Sequence, residues 1–288
     1  MPAEISSQDG FIAPKAFRRT RVIPGFTMSL GITIFFVSVI VIIPLLALLM
    51  RPWENGFSGF IDTLFDKRVF AALKISFLCS LLAALVNLFV GVLIAWVLVR
   101  YDFPGKKLVD AFIDMPFALP TAVSGIALSA IYAPNGWIGG FFDDFGIKIA
   151  YSPIGIFIAL VFIGLPFIVR SVQPVLSELE AEVEEAAETL GASPLQTFNH
   201  VILPAIMPAL LSGFSLAFAR GMGEYGSVIF IAGNIPYVSE IAPLLIVVKL
   251  EEYDYAGAAS VGIGMLMISF AILFALNLTQ RYFAKKGL

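Results

Sequence analysis

The chain has 288 residues, 59% of them hydrophobic and 14% charged, with a mean hydropathy of +0.93. Soluble domains carry about a quarter charged residues, so this composition excludes a soluble globular protein and defines an integral membrane chain. The net charge of −3 leaves no basic field for nucleic acid, the single Cys79 excludes an internal disulfide, and the single His200 excludes a multi-histidine metal site.

In chain order, residues 1–25 are a polar tail with Lys15, Arg18, Arg19 and Arg21 gathered before the first apolar run. Residues 26–49 follow; at 1.5 Å per residue they make a helix of about 36 Å, enough to cross a bilayer with some tilt. This run exceeds the apolar core of a secretory signal and lacks a small-residue cleavage site, so it reads as a retained span. Residues 50–74 read as a polar connection containing Pro52, Trp53 and Gly56. The second span is expected over 76–99, carrying Asn87 and Trp96, with a short basic link over 100–114. A third over 115–133 is interrupted by Pro116 and Pro120, and a polar, glycine-containing loop over 135–151 leads to the fourth over 152–169. The fifth is expected over 205–232 and the sixth over 256–278. The fold class is therefore all-α, an integral membrane protein of six transmembrane helices.

Six spans place both termini on one side. That side carries eleven Lys and Arg residues against six on the other, with Arg220 inside the fifth span. The positive-inside rule then makes both termini, and the loop after the fourth span, cytoplasmic.

That loop, from Ser177 to Pro204, is a polar island in an apolar chain. Glu178, Glu180, Glu182, Glu184, Glu185 and Glu188 fall together with no Lys or Arg among them. Ala186, Ala187 and Leu190 favour helix, and Gly191 stands where a left-handed cap would end it. Ser193 offers an N-cap and Pro194 suits the first helical position. The pattern predicts helix, glycine turn and helix at a membrane surface. It suits either a solvated hairpin or a docking element for a soluble partner.

Enzyme motifs are missing. There is no G-x-x-x-x-G-K-S/T phosphate loop, no G-x-S-x-G elbow, no H-E-x-x-H and no Cys/His cluster with ligand spacing. Two stretches could instead serve a pathway. In the fifth span, Arg220 and Glu224 are four apart and can pair on one helical face, among glycines 221, 223 and 226. Ionisable groups at membrane depth must be paired or face a polar cavity. The pair can lock helices, line a pathway where Arg220 attracts an anion, or sit at a headgroup boundary. In the third span, Pro120 breaks backbone bonds that the Thr121 and Ser124 hydroxyls could satisfy, unless they face a pore. Asn87 can bond across helices or line a channel.

The run Glu185-Ala186-Ala187, then Gly191, then Val201-Ile202-Leu203-Pro204 resembles the EAA-loop signature of permease subunits of bacterial ABC importers, with Val201 where that pattern usually has Ile. The resemblance implies the type I importer fold. It also implies a coupling loop over 177–204 in which Glu185, Ala186, Ala187, Gly191, Leu203 and Pro204 seat on an ATPase subunit. It covers the chain from about Arg68, with a five-helix core over 68–281, an added N-terminal helix, and a cytoplasmic C-terminal tail over 282–288.

The stretches FARGMGEYGSVIFIAGNIP and EIAPLLIVVKLEEYDYAGA are similar to the T-type membrane subunit of bacterial sulfate/thiosulfate importers. That similarity implies an inner-membrane heterodimer with a homologous W-type subunit, two copies of an ATP-binding subunit, and a periplasmic sulfate-binding protein. The chain itself would bind no cofactor, ATP being held by the partner. Arg220, Glu224, Pro120, Thr121 and Ser124 become candidates for the translocation pathway. A homodimeric molybdate or tungstate permease would share the fold and the loop, and an ATP-independent anion carrier or channel would need coupling carboxylates of its own.

Overall fold

The computed structural model describes residues 25–285, so the N-terminal tail expected over 1–25 lies outside the described residues except for Gly25. The chain divides into two units, one reaching to Ala47 and one from Leu48 onward. The first holds α1 (Phe26–Val37), a π-helical stretch (Ser38–Ile42) and the beginning of α2 (Ile43–Met50). Its sequence is apolar on every side, as a span in lipid requires.

The second unit is helical wherever it is regular. A 3-10 turn (Arg51–Asn55) leads to α3 (Gly56–Phe65) and then to α4 (Lys67–Arg100). The connection expected over 50–74 is thus largely helix. Asp66 caps α4 by accepting from the N–H groups of Arg68 and Val69, which starts the span nine residues before Ser76.

Next come α5 (Lys106–Ala118) and α6 (Thr121–Tyr132), which meet at 114° instead of forming one interrupted span. Pro116 is absorbed inside α5, whereas Pro120 forces Leu119 into extended backbone (ψ 137°) and the helix stops there. The expected basic link over 100–114 is mostly the first nine residues of α5, and the expected loop over 135–151 contains α7 (Trp137–Asp143).

The remaining helices are α8 (Pro153–Glu178), α9 (Ala181–Thr189), α10 (Pro194–Thr197), α11 (Leu203–Met222), α12 (Val228–Ile231), α13 (Ala242–Glu251) and α14 (Tyr255–Lys285). The fifth span ends at Met222 instead of reaching 232, because Gly223 to Ser227 leave the helical path. Helix α13 was not anticipated, and α14 carries the expected C-terminal tail on as helix to Lys285. Among the described residues, five helical stretches are long and apolar enough to cross a membrane, and the bent pair α5–α6 is a sixth if taken as one span.

The core sits where α4, α8 and α11 pack together. Ile168, Val169, Val172 and Leu176 of α8, with Ile206 and Phe218 of α11, are wholly or almost wholly buried there. Close approach of α4 and α8 depends on small residues: a Cβ at Gly91 would lie 2.6 Å from Ile168, and one at Gly164 would lie 2.5 Å from Asn87 Nδ2. Asn87 uses that proximity to donate to the Val161 carbonyl at 3.0 Å, so it bonds across helices.

Asp254 caps α14, accepting from the Gly257 N–H at 2.8 Å while Lys249 Nζ donates to its other oxygen at 2.8 Å. The Lys249 hydrogen bond holds this carboxyl below its ordinary value, against the upward pull of partial burial. A folded-state pKa below the unfolded one means that the contribution is complete above the ordinary carboxylate range and is lost as pH falls through the lowered value. Asp254→Ala should therefore cost about 1 kcal/mol at neutral pH. In thermal unfolding of the purified protein, its difference from wild type should shrink as the buffer is taken into acid.

Candidate functional site

The polar loop is built as its residue types demand. Helix α8 ends at Glu178, and Leu179 and Glu180 run extended into α9. Glu182 and Glu184 occupy the first turn of α9, where carboxylates oppose the helix dipole. Gly191 (φ +85°) closes the helix, its N–H bonding the Glu188 carbonyl at 2.9 Å and that of Ala192 the Ala187 carbonyl at 3.0 Å. This is the paired glycine cap in which two terminal carbonyls are satisfied. Ser193 and Gln196 then form a reciprocal capping box, with Pro194 at the first helical position, and a π-helical stretch (Phe198–Ile202) returns the chain to α11.

Glu185, Ala186 and Gly191 are exposed at the tip, and Ala187 is half-buried. Leu190 is 89% exposed and Leu195 is 69% exposed. Between these turns lies an open depression of about 300 Å³, lined by Leu190 to Ala192 on one side and by Gln196, His200 and Val201 on the other. Leu190 and Leu195 are the barest large apolar side chains of an otherwise polar loop. Leu203 and Pro204 are not at the tip. They lie half-buried at the root of α11, with Leu203 against the core.

The two pathway candidates prove to be one place. Arg220 stands in the last turn of α11 and pairs with Glu224, although Glu224 lies beyond the helix end instead of on its face. Glu224 is buried, and its Oε1 accepts from both the N–H and the hydroxyl of Ser227, each at 3.0 Å. The carboxylate thus holds the non-helical turn after α11 in shape. The first turn of α6 presses against that turn: a Cβ at Gly226 would sit 2.2 Å from Thr121 Oγ1, and one at Gly125 would sit 2.3 Å from the Ser227 carbonyl oxygen.

Ser124 is buried and its N–H bonds the Pro120 carbonyl at 3.1 Å, while Pro120 itself is exposed at the bend. A headgroup-solvated boundary does not fit a Glu224 side chain that is 1% exposed. The Arg220 side chain is 38% exposed, so the pair joins a half-buried cation to a buried carboxylate.

Sequence reasoning missed three arginine pairings. Arg170 of α8 donates to Asp114 at 2.7 and 2.8 Å and to Asp110 at 2.8 Å, pinning α5 to α8. Arg68 at the start of α4 forks onto the buried Glu240 at 2.7 and 2.8 Å. Arg100 at the end of α4 pairs with Glu184 of α9. The partners are 56 to 172 residues apart in sequence, too far for any helical spacing to have signalled them. Among the described residues, no group of three His, Cys, Asp or Glu side chains could hold a metal ion.

A bundle of apolar helices joined by an exposed polar loop defines a multi-pass membrane protein. Residues 87–286 match the family described as binding-protein-dependent transport system inner membrane component, and the chain belongs to that family. It is 46% identical over 266 residues to the sulfate transport system permease protein CysT of Salmonella typhimurium, which covers 92% of this chain and 96% of that one. It is 48% identical over 251 residues to the protein of the same name from Synechocystis, covering 87% and 88% respectively. Among solved structures, a bacterial ABC transporter involved in import of the acidic polysaccharide alginate matches with a TM-score of 0.74 at 17% identity, over 89% of this chain and 94% of that one. The chain therefore has the fold of ABC importer permeases.

Because Glu224 is buried, Arg220→Ala leaves an uncompensated carboxylate and should destabilise the protein by about 3–5 kcal/mol. Arg220→Ala combined with Glu224→Gln should recover most of that loss, since the amide oxygen can still accept from Ser227. Thermal unfolding of the two variants beside wild type is the check.

Proposed function

We propose that this chain is a membrane permease subunit of an ATP-driven importer of sulfate and thiosulfate. The observation that carries the reading is its similarity, along nearly their whole lengths, to curated sulfate transport system permeases. The chain would sit in the bacterial inner membrane with both termini cytoplasmic, beside a homologous W-type subunit. Two copies of an ATP-binding subunit would dock from the cytoplasm and a periplasmic sulfate-binding protein from outside. No reaction is assigned to the chain itself, and ATP would be bound and hydrolysed by the partner.

In this reading Glu185, Ala186, Ala187 and Gly191 seat on the ATPase. Two features support the role: the exposed tip carries Leu190 and Leu195 beside them, and small alanines permit close approach. Leu203 and Pro204 act at the root, joining the loop to α11. ATP binding draws the two ATPase copies together, displaces the loop and opens the bundle outward; hydrolysis resets it inward.

Arg220, half-buried, would offer guanidinium donors to the dianion while Glu224 and Ser227 hold the turn beside it. A guanidinium already paired with a carboxylate suits transport, because a site that bound the anion tightly would not release it. Pro120, Thr121 and Ser124 form the bend against which that turn moves.

Cells lacking only this chain should lose uptake of labelled sulfate and keep uptake of labelled molybdate. Wild type should restore sulfate uptake, whereas Glu185→Lys should not, and less ATPase should co-purify with that variant. Gly191→Pro should behave likewise, since proline cannot adopt a positive φ. Loss of molybdate uptake alone would move the substrate to the other oxyanion, and an unaffected Glu185→Lys variant would remove the coupling assignment.

A further inference from the structure

One turn of α4 holds both arms of the exposed loop. Arg100, its last residue, donates from Nη2 to the Leu179 carbonyl at 3.2 Å and to the carboxylate of Glu184. Leu179 is the first extended residue after α8, and Glu184 lies in the first turn of α9, so these bonds grip both the extended joint and the helix beyond it. The same guanidinium lies 5.7 Å from the ring centroid of Trp96, four residues back on α4. Trp96 meets Phe198 edge-on, with centroids 6.1 Å apart and planes at 73°. Phe198 opens the π-helical stretch on the outgoing arm. A continuous chain of contacts therefore runs from Glu184 through Arg100 and Trp96 to Phe198.

The grip is specific. Among the described residues, Glu184 is the one glutamate of the loop engaged in an ion pair. Its side chain is 24% exposed and that of Arg100 20%, so the pair is partly withdrawn from water, where charge-assisted bonds gain strength. Arg100 Nε is buried without a hydrogen-bond partner, so the guanidinium is oriented by its two loop contacts and the indole face at the expense of that atom.

Without this grip the extended residues Leu179 and Glu180 would act as a swivel, and α9 could rock without moving any span. With it, α9, the end of α8 and the start of the return arm are fastened to α4, whose packing against α8 and α11 forms the core.

We propose that Arg100 and Trp96 are positioning residues that transmit displacement of the loop directly to α4, so that α4, as well as the spans flanking the loop, is driven by the docked ATPase. The inference rests on the reading that the loop docks an ATPase, and the experiment separates the two.

The measurement is the amount of labelled sulfate transported per ATP hydrolysed by the whole complex in proteoliposomes, with ATPase retention scored on the same preparations. Arg100→Gln should lower that ratio about fivefold or more, in the range of ordinary site-to-site coupling, while the ATPase stays bound. Glu184→Gln should do the same more mildly, and Glu184→Arg strongly. Arg100→Glu combined with Glu184→Arg should recover much of the ratio that each reversal loses alone. Arg100→Lys should recover only in part, because one ammonium lacks the planar fork that reaches both Leu179 and Glu184.

A wild-type ratio in both Arg100→Gln and Glu184→Gln, or a double reversal no better than the single ones, would overturn the inference while leaving ATPase docking in place. Retention of the ATPase by Glu185→Lys would overturn the docking reading itself. Should Arg100→Gln fail to assemble, the Glu184 variants and the double reversal decide by the same ratio.

Discussion

In a chain this apolar, a charge taken out of water must bring its partner with it, and the second unit is arranged around that constraint. Four arginines pair in four places, with Glu240 and Glu224 buried, Glu184 partly withdrawn, and Asp110 and Asp114 still half-exposed. Arg68 ties the start of α4 to Glu240, Arg100 ties its end to α9, Arg170 ties α8 to α5, and Arg220 ties the end of α11 to the turn that follows. Three of these join elements distant in sequence and the fourth spans a helix end. Hydrophobic burial cannot specify such joints, because a lipid-facing helix gains little by exchanging lipid for protein. Paired charges, close glycine contacts and the Asn87 bridge supply the specificity instead.

The consequence is a rigid centre with defined breaks. Helices α4, α8 and α11 pack with small residues at their crossings, while the 114° bend before α6 and the turn after α11 leave regular structure at neighbouring points. Those two irregularities fit into each other at Thr121–Gly226 and Gly125–Ser227. Backbone that leaves a helix at membrane depth is tolerated where protein covers it, and Glu224 with Ser227 covers this turn. A pathway built here would share its wall between the bend and the turn, so movement of one would be felt by the other.

At the opposite face, the loop between α8 and α11 depends on local chemistry for its shape and on α4 for its position. The glycine cap at Gly191 and the capping box at Ser193 would shape the hairpin wherever it stood. Arg100 and Trp96 help to place it against the bundle, beside the apolar contacts of Leu179, Phe198 and Leu203 with the core. Shape and attachment are thus separable, which allows an exposed, apolar-tipped surface to be presented firmly without being buried.

Membrane class, the loop's helix–turn–helix and its caps were legible in the sequence because each depends on neighbours within a few residues: apolar run length, a glycine able to adopt positive φ, a serine before a proline. Family likeness was legible for the same reason, since the motif is a fixed local spacing. The early end of α11 was not legible, because Val228 to Ile231 continue the apolar run and hydropathy does not register a backbone that turns aside. Nor was α13, whose apolar residues sit between charged ones at a length too short to stand out. The α5–α6 bend was half visible: two prolines announced a disturbance, but only the folded backbone shows that Pro116 is carried inside a helix and Pro120 ends one. The sequence by itself determined what the chain is made of and which segments punctuate it. The tertiary structure alone decided which charges meet, because pairing across 56 to 172 residues depends on how helices are placed in space and leaves no period in the chain.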